Sequence, residues 1–397
     1  MRESTIQANS THTEKPSSLI TKEEGVGNRN TALSATLLYA AIKLIGLIVL
    51  SIWSASNQKS AYVLLSQRWD SLWYTRVAEV GYSFSLQAPD GRNLSSMAFF
   101  PLLPWLEEMA DAAGPWSAAD SGLAISALAS LAAALGLYRL GEHVQSPRTG
   151  VILVCLWGAL PVSIVQSMAY SESLFVALAV WALLALLQNH WMTAGIISCF
   201  AGLTRPVGIA VSFAIFAVAI TTLAKNGVES DKKTRLKIFA SCIISPLGAA
   251  AYILWVGYQR GDLLGYLKVQ EGWGNGFDGG IAFAKFISSS IHESNALAAL
   301  FLVAIILLCG WPYRVAWKQN QPLALFVYSV VITIMAMGAS GYFGSKPRLL
   351  VPAFPLLLSL AIRMARARPI YVYVTLSVMI IGSAIYGAFW LNGTGPP

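Results

Sequence analysis

Residues 151–237 read VILVCLWGALPVSIVQSMAYSESLFVALAVWALLALLQNHWMTAGIISCFAGLTRPVGIAVSFAIFAVAITTLAKNGVESDKKTRLK, and the way this stretch divides decides the fold. It lies in two apolar runs, 150–188 and 191–224, each with polar residues near its middle: Ser171 and Glu172 in the first, Arg205 in the second. A helix crossing the hydrocarbon layer needs about 20 residues, so each run is either one long tilted helix or two short ones. Charge decides between them. The segment KNGVESDKKTRLK (225–237) is the densest basic cluster in the chain, and basic loops face the cytoplasm. The N-terminal tail (Arg2, Lys15, Lys22, Arg29) and the loops carrying Arg139 and Arg148, Arg314 and Lys318, and Arg363, Arg366 and Arg368 follow the same rule. All five agree only if both runs split in two.

Working outward, hydropathy broken at charge, Pro and Gly predicts spans near 32–55, 119–140, 150–167, 172–188, 191–204, 206–224, 237–258, 293–311, 322–340, 348–363 and 370–391. The composition agrees: 56% of the 397 residues are hydrophobic and 12% charged, with a mean hydropathy of +0.59, far from the roughly one-quarter charged content of soluble chains. About 11 spans fit such a chain and leave no room for a large soluble domain. The net charge of +8 belongs to topology rather than to nucleic acid. Cys155, Cys199, Cys242 and Cys309 each sit alone in apolar sequence, and the four histidines are widely scattered; neither set has metal-site or disulfide spacing. The first 30 residues lack an apolar h-region, so the first span is expected to serve as signal anchor.

This topology turns the polar segments of interest to one face, the outer one. The first outer loop, about 56–118, is too long for a plain connector. Within QRWDSLWYTRVAEVGY (67–82), Trp69, Leu72, Trp73, Val77 and Val80 recur at helical spacing, which predicts a helix lying in the membrane interface with its Trp and Tyr rings at headgroup level. Asp70 borders that face and has two readings. It is a helix N-cap, or a general base taking a proton from a hydroxyl held beside it. Glu79, Asp90, Glu107, Glu108 and Asp111 read as solvated carboxylates of the same loop. In MAFFPLLPWL (97–106), Pro101 and Pro104 exclude a regular span and predict an elbow, either re-entrant or a turn before the next helix.

Further along, Tyr170, Ser171 and Glu172 form an outer turn and Arg205 another. Arg205 suits a phosphate through its planar fork of donors and equally suits an ion pair with Glu172. The loop YLKVQEGWGNGFDGG (266–280) brings Lys268, Gln270, Glu271, Trp273 and Asp278 among five glycines. It is no P-loop, and a lid, a sugar-stacking surface and a flexible connector fit it alike. SKPRLLVPAFPLLL (345–358) sets Lys346 and Arg348 at the start of a Pro-containing span, to bind phosphate or to snorkel. Lys43, inside the first span, snorkels or pairs internally.

The ordered segments RWDSLWYTRVAEVGY, AFFPLLPWL, LPVSIVQSMAYSESLF, GLTRPVGI, YLKVQEGWG and PRLLVPAFPL, scattered from about residue 67 to 360, resemble the PIG-V type of mannosyltransferase and its bacterial relatives. The combination WD…GY…FFPL is the most specific part. One block departs from the pattern: Leu349 follows Arg348 where the family commonly has Tyr. The resemblance implies the GT-C class of membrane glycosyltransferases: an all-α polytopic bundle that transfers sugar from a polyprenyl-phosphate carrier outside the cytoplasm, with inversion, without a metal and without a further cofactor. It implies Asp70 as the catalytic residue and matches Tyr170, Ser171, Glu172 and Arg205 to its segments; Tyr170, Glu172 and Arg205 together with Trp69, Tyr74, Lys268, Gln270 and Arg348 are the expected substrate-binding residues. The expected organisation is a cytoplasmic polar tail over 1–31 and one transmembrane domain over 32–397, with 56–118 and 259–292 as its large outer loops. The expected partners are membrane lipids, the polyprenyl-phosphate sugar donor and a glycolipid or glycan acceptor. The expected location is the plasma membrane, or the endoplasmic reticulum in a eukaryote, with the N-terminus cytoplasmic. A lipid-linked substrate transporter or flippase and a non-catalytic assembly subunit are the rival classes. The outward lean of the acidic residues, the long first loop and the lack of an internal repeat favour the enzyme.

Overall fold

The computed structural model describes residues 17–226, 231–292, 310–341 and 343–395. In chain order the helices are α1 (Ser17–Ser56), α2 (Ala61–Ser66), α3 (Asp70–Val80), α4 (Leu102–Ala113), α5 (Ala118–Val144), α6 (Pro147–Gly158), α7 (Ser171–Leu187), α8 (Trp191–Gly202), α9 (Ile209–Asn226), α10 (Lys232–Ile244), α11 (Leu247–Arg260), α12 (Gly265–Gly272) and α13 (Ile281–His292). They continue with α14 over 310–318, α15 (Leu323–Gly338), α16 (Lys346–Leu349), α17 (Phe354–Ala365) and α18 (Pro369–Asn392). Among the described residues five stretches are long and apolar enough to cross a membrane: Asn30–Ser56, Ala118–Val144, Pro206–Lys225, Lys232–Arg260 and Pro369–Asn392. The apolar helices α6, α7, α8, α15 and α17 are shorter.

Both runs that decided the topology are split, one into α6 and α7, the other into α8 and α9. Elsewhere, prolines shift the expected boundaries. The predicted span 150–167 stops at Gly158, because Pro161 lacks an amide hydrogen and biases its predecessor away from helix; a 3₁₀ turn over Ser163–Ser167 follows instead. The span over 237–258 breaks before Pro246 into α10 and α11. The span expected from 348 begins with the single turn α16, and Pro352 delays α17 to Phe354. The span expected at 293–311 lies almost wholly outside the described residues.

Beyond its first turn α7 is apolar on every side, and it lies buried in the main core, packed on α5 and α8. Small residues bring its neighbours together. A Cβ on Gly195 would lie 2.9 Å from Ser241 Cα, one on Gly202 2.7 Å from the Ala249 nitrogen, and one on Gly248 would overlap the Cys199 carbonyl, so α8 and the α10–α11 pair touch backbone to backbone. Replacing Gly248 with Leu should therefore lower the thermal midpoint in detergent, at a cost of about 1–3 kcal/mol from overpacking. An unchanged midpoint would contradict this contact.

The chain between α6 and α7 leaves helix inside the bundle, where an unpaired carbonyl is costly. Side chains from four other elements supply the donors. Ser383 Oγ reaches the Leu160 carbonyl at 2.7 Å, Lys43 Nζ the Ser163 carbonyl at 2.7 Å, Ser173 Oγ the Gln166 carbonyl at 3.0 Å and Ser126 Oγ the Tyr170 carbonyl at 2.9 Å. Lys43 thus pairs internally, donating also to Ser163 Oγ at 3.1 Å and Gln166 Oε1 at 3.3 Å. These bonds fix the approach to the turn at Ser171.

The first large loop folds as α2, α3, a two-stranded antiparallel hairpin (β1, Ser85–Gln87; β2, Asn93–Ser95) and α4. Helical spacing alone does not reveal the hairpin, although Pro89-Asp90-Gly91 at its tip is turn sequence and Gly91 has φ +84°. The elbow at 97–101 is a short 3₁₀ turn over Ser96–Ala98 leading into α4, with Pro104 tolerated in the first helical turn. α3 does not lie with one whole apolar face toward the interface. It packs Ser71, Trp73, Tyr74 and Val77 inward while Leu72 and Val80 stay exposed, because its aromatic side joins Phe99 and Leu103 in a core of its own.

Candidate active site

Three turns that join apolar helices meet the turn before α3 at one end of the bundle. The turn before α3 is sewn to the turn before α7 by one carbonyl: Leu65 O accepts from Ala169 N at 3.0 Å and from Ser71 Oγ at 3.2 Å. Tyr74 Oη and Ser171 Oγ add a second stitch at 2.7 Å. The turn with Arg205 is tied to the elbow by Leu102 N donating to Leu203 O at 3.0 Å. The turn with Arg348 is held by Trp157 Nε1 on Val351 O at 3.3 Å and Tyr328 Oη on Pro352 O at 3.0 Å.

These stitches assemble a linear chain of four charges, Asp70–Arg348–Glu172–Arg205. Arg348 donates through NH2 to Asp70 Oδ2, and its Nε lies 2.6 Å from Glu172 Oε1. Arg205 NH1 pairs with the same oxygen, Glu172 Oε1. The side chains of Glu172 and Arg348 are 1% and 9% exposed, whereas Asp70 is 24% exposed. The chain is therefore buried in its middle, at Arg348 and Glu172, and most open at Asp70. The Arg348 guanidinium lies 4.7 Å over the Tyr170 ring, which fixes its plane and adds a cation–π contact. Burial pushes the Tyr74 phenol well above its ordinary range, with the Arg205 guanidinium opposing, so its hydroxyl stays protonated.

Five of the expected site residues, Asp70, Tyr170, Glu172, Arg205 and Arg348, thus form one cluster, with Tyr74 stitched to its edge. Asp70 does not occupy the N-cap position: Trp69 does, and Asp70 is the first helical residue, directed at Arg348. Trp69 has φ 51° and ψ −123°, a backbone state that costs a non-glycine residue about 1–3 kcal/mol. Arg68 holds it, its guanidinium 3.9 Å from the Trp69 ring and its nitrogens on the carbonyls of Leu391 at 3.0 Å and Gly393 at 3.4 Å. Trp69 thus shapes the turn that aims Asp70.

Lys268 and Gln270 do not join the cluster. Lys268 is 69% exposed and pairs with Asp262 at 2.6 Å, because α12 turns that side to solvent. Gln270 faces the elbow, donating to Ala98 O at 3.2 Å and Tyr266 Oη at 2.7 Å. Their loop contributes differently: the Trp273 ring sits 4.8 Å from Trp73 and 5.3 Å from Phe99, and its Nε1 donates to Ser95 O at 3.0 Å. The second large loop thereby packs on the first. Lys346 is buried with its ammonium on the Ala336 and Ala339 carbonyls at the end of α15.

Sequence reasoning missed Glu107. It is not solvated but 0% exposed, and neither carboxyl oxygen has a hydrogen-bond partner among the described residues. It sits against α5 where Gly122 leaves room: a Cβ there would come 2.5 Å from Glu107 Oε1. The available signal was its place four residues after Leu103 on the inner face of α4. Burial raises its pKa well above the ordinary carboxylate range. The unfolded chain therefore releases this proton first, and stability that is full below the unfolded pKa is lost as pH rises toward the folded pKa. Glu107→Gln should match the wild type in thermal midpoint near pH 4 and exceed it increasingly toward neutrality, by about 1.4 kcal/mol per pH unit within that window. A midpoint difference independent of pH would contradict a buried, unpartnered acid.

No protein-family model matches this chain, and no curated protein does either. Solved structures do. The oligosaccharyltransferase of Archaeoglobus fulgidus in complex with Zn and sulfate superposes with a TM-score of 0.50 at 14% identity, over 90% of this chain and 53% of that one. ArnT from Cupriavidus metallidurans bound to undecaprenyl phosphate gives 0.51 at 12% identity over 89% and 75%, and its apo state 0.52 at 13% over 87% and 62%. This chain spans about half the length of the oligosaccharyltransferase chain. At these identities the likeness concerns the fold alone: the described residues form an α-helical bundle of the GT-C type.

Proposed function

We propose that this protein is an integral-membrane glycosyltransferase that moves a mannosyl residue from a polyprenyl-phosphate carrier to a hydroxyl of a glycolipid or other glycan acceptor outside the cytoplasm. The observation that carries this reading is the Asp70–Arg348–Glu172–Arg205 chain, in which a partly open carboxylate stands beside buried guanidinium groups. An acid–base residue next to phosphate-binding donors is what sugar transfer from a phosphate leaving group needs. Asp70 accepts the proton of the acceptor hydroxyl as its oxygen attacks the anomeric carbon. The bond from that carbon to the phosphate oxygen breaks on the opposite face, which inverts the centre. The electron pair leaves with the carrier phosphate, whose growing charge Arg348 and Arg205 stabilise. Glu172 holds both guanidinium groups in place, and Tyr170 orients Arg348 through its ring. No step calls for a metal ion or a further cofactor.

The GT-C fold and the undecaprenyl phosphate named in the ArnT structure support a lipid-phosphate carrier. Mannose, the PIG-V relationship and the outer orientation rest on the sequence segments and the charge of the loops. The test is sugar transfer by the purified protein in lipid, supplied with radiolabelled polyprenyl-phosphate mannose and a lipid extract of its host. A labelled, lipid- or glycan-linked product supports the reading. Absence of product from that donor, with transfer from another polyprenyl-phosphate sugar, would keep the enzyme and replace the sugar.

A further inference from the structure

The charge chain is complete without a ligand. Its two carboxylates and two guanidinium groups balance, so an incoming phosphate meets no uncompensated arginine within it. Among the described residues, Arg68 and Lys346, each two positions from a member of the charge chain, are engaged with backbone: Arg68 on the end of α18 and Lys346 on the end of α15. A lipid phosphate that takes NH2 of Arg348 takes it from a carboxylate that already holds it.

Geometry says which carboxylate yields. Arg348 meets Asp70 and Glu172 through different nitrogens, NH2 for Asp70 and Nε for Glu172, so the first contact can be exchanged while the second persists. Glu172 is fully buried and also paired with Arg205, and stripping it would leave a charge in a dry site. Asp70 is at the open end, and water can take over its solvation. The Tyr170 ring fixes the guanidinium plane, so the NH2 group released by Asp70 keeps pointing at the same place.

We propose that the carrier phosphate and Asp70 compete for NH2 of Arg348, so that donor binding itself frees the Asp70 carboxylate. The inference rests on the functional reading above and adds a mode of regulation to it. In the resting enzyme the carboxylate is occupied and activates no water. With the donor seated, the phosphate holds Arg348 and the carboxylate is released beside the anomeric carbon, ready for the acceptor hydroxyl.

The consequence is that removing the charge of the base should improve donor binding. The experiment measures binding of polyprenyl monophosphate, free of sugar, to the full-length protein in lipid nanodiscs. Wild type, Asp70→Asn, Arg348→Gln and the double variant are compared, with Asp70→Ser as a second replacement in case the asparagine variant is poorly folded. The expected result is affinity about tenfold or more higher in Asp70→Asn, reduced affinity in Arg348→Gln, and no gain from Asp70→Asn when Arg348 is already absent, a coupling that a double-mutant cycle isolates. Unchanged or weaker binding in both Asp70 variants overturns the competition, as does a gain that persists without Arg348. A transfer assay on the same samples separates the two levels. An Asp70 variant that fails to transfer but binds no better keeps the base and removes the competition. One that binds better and still transfers keeps the competition and removes the base. Failure of every form to bind the lipid overturns both.

Discussion

Replacing Asp70 by asparagine should lower the transfer rate by about 10²- to 10⁴-fold, the range over which a positioned general base acts, while the protein stays folded. The side chain keeps its size, and its place at the start of α3 is set by the Trp69 turn and by Ser71 on the Leu65 carbonyl, so the loss reports chemistry. Because the side chain is partly open, at 24%, its neutralisation does not strand a charge in a dry interior; Arg348 retains Glu172. The measurement is the single-turnover rate with donor in excess, together with the thermal midpoint of the same sample. Equal rates would leave Asp70 an ion-pair partner of Arg348 and no more.

The opposite signature is expected at Glu172. Truncating it to alanine leaves two guanidinium groups facing each other without their shared carboxylate, and breaking a buried pair from one side costs about 3–5 kcal/mol. Arg205 and Arg348 come from distant turns that Glu172 joins, so the variant should lose thermal stability sharply as well as activity. A thermal-unfolding series in detergent reads the first and the transfer assay the second. If Glu172→Ala kept its midpoint and lost only activity, the carboxylate would act on substrate rather than as the joint of the cluster.

Comparison of particular residues shows what sequence alone can reveal. The break at Ser171 and Glu172 and the one at Arg205 were legible because each puts polar residues inside an apolar run, and membrane energetics makes such an interruption conspicuous. Asp70 and Arg348 were legible one at a time, as residue types in recognisable segments; their pairing was not, since 278 positions separate them in the chain and only the packed bundle closes that distance. Lys268 shows the reverse limit: residue type and neighbours suited phosphate, but the direction of α12 sends it to solvent. Glu107 is the same lesson inverted, a carboxylate whose burial depends on a glycine on another helix. The strained Trp69 turn leaves no mark in propensity, because its cost is met by contacts to the far end of the chain at α18.

The most direct test of the central claim is a cryo-electron microscopy structure of the protein in lipid nanodiscs with polyprenyl monophosphate bound. The phosphate should lie within hydrogen-bonding distance of Arg348, with Arg205 beside it and the Asp70 carboxylate released from NH2 of Arg348, and the prenyl chain should run from that point between helices toward lipid. Phosphate density at another end of the bundle, with the Asp70–Arg348–Glu172–Arg205 chain intact and empty, would contradict the assignment of this cluster as the active site.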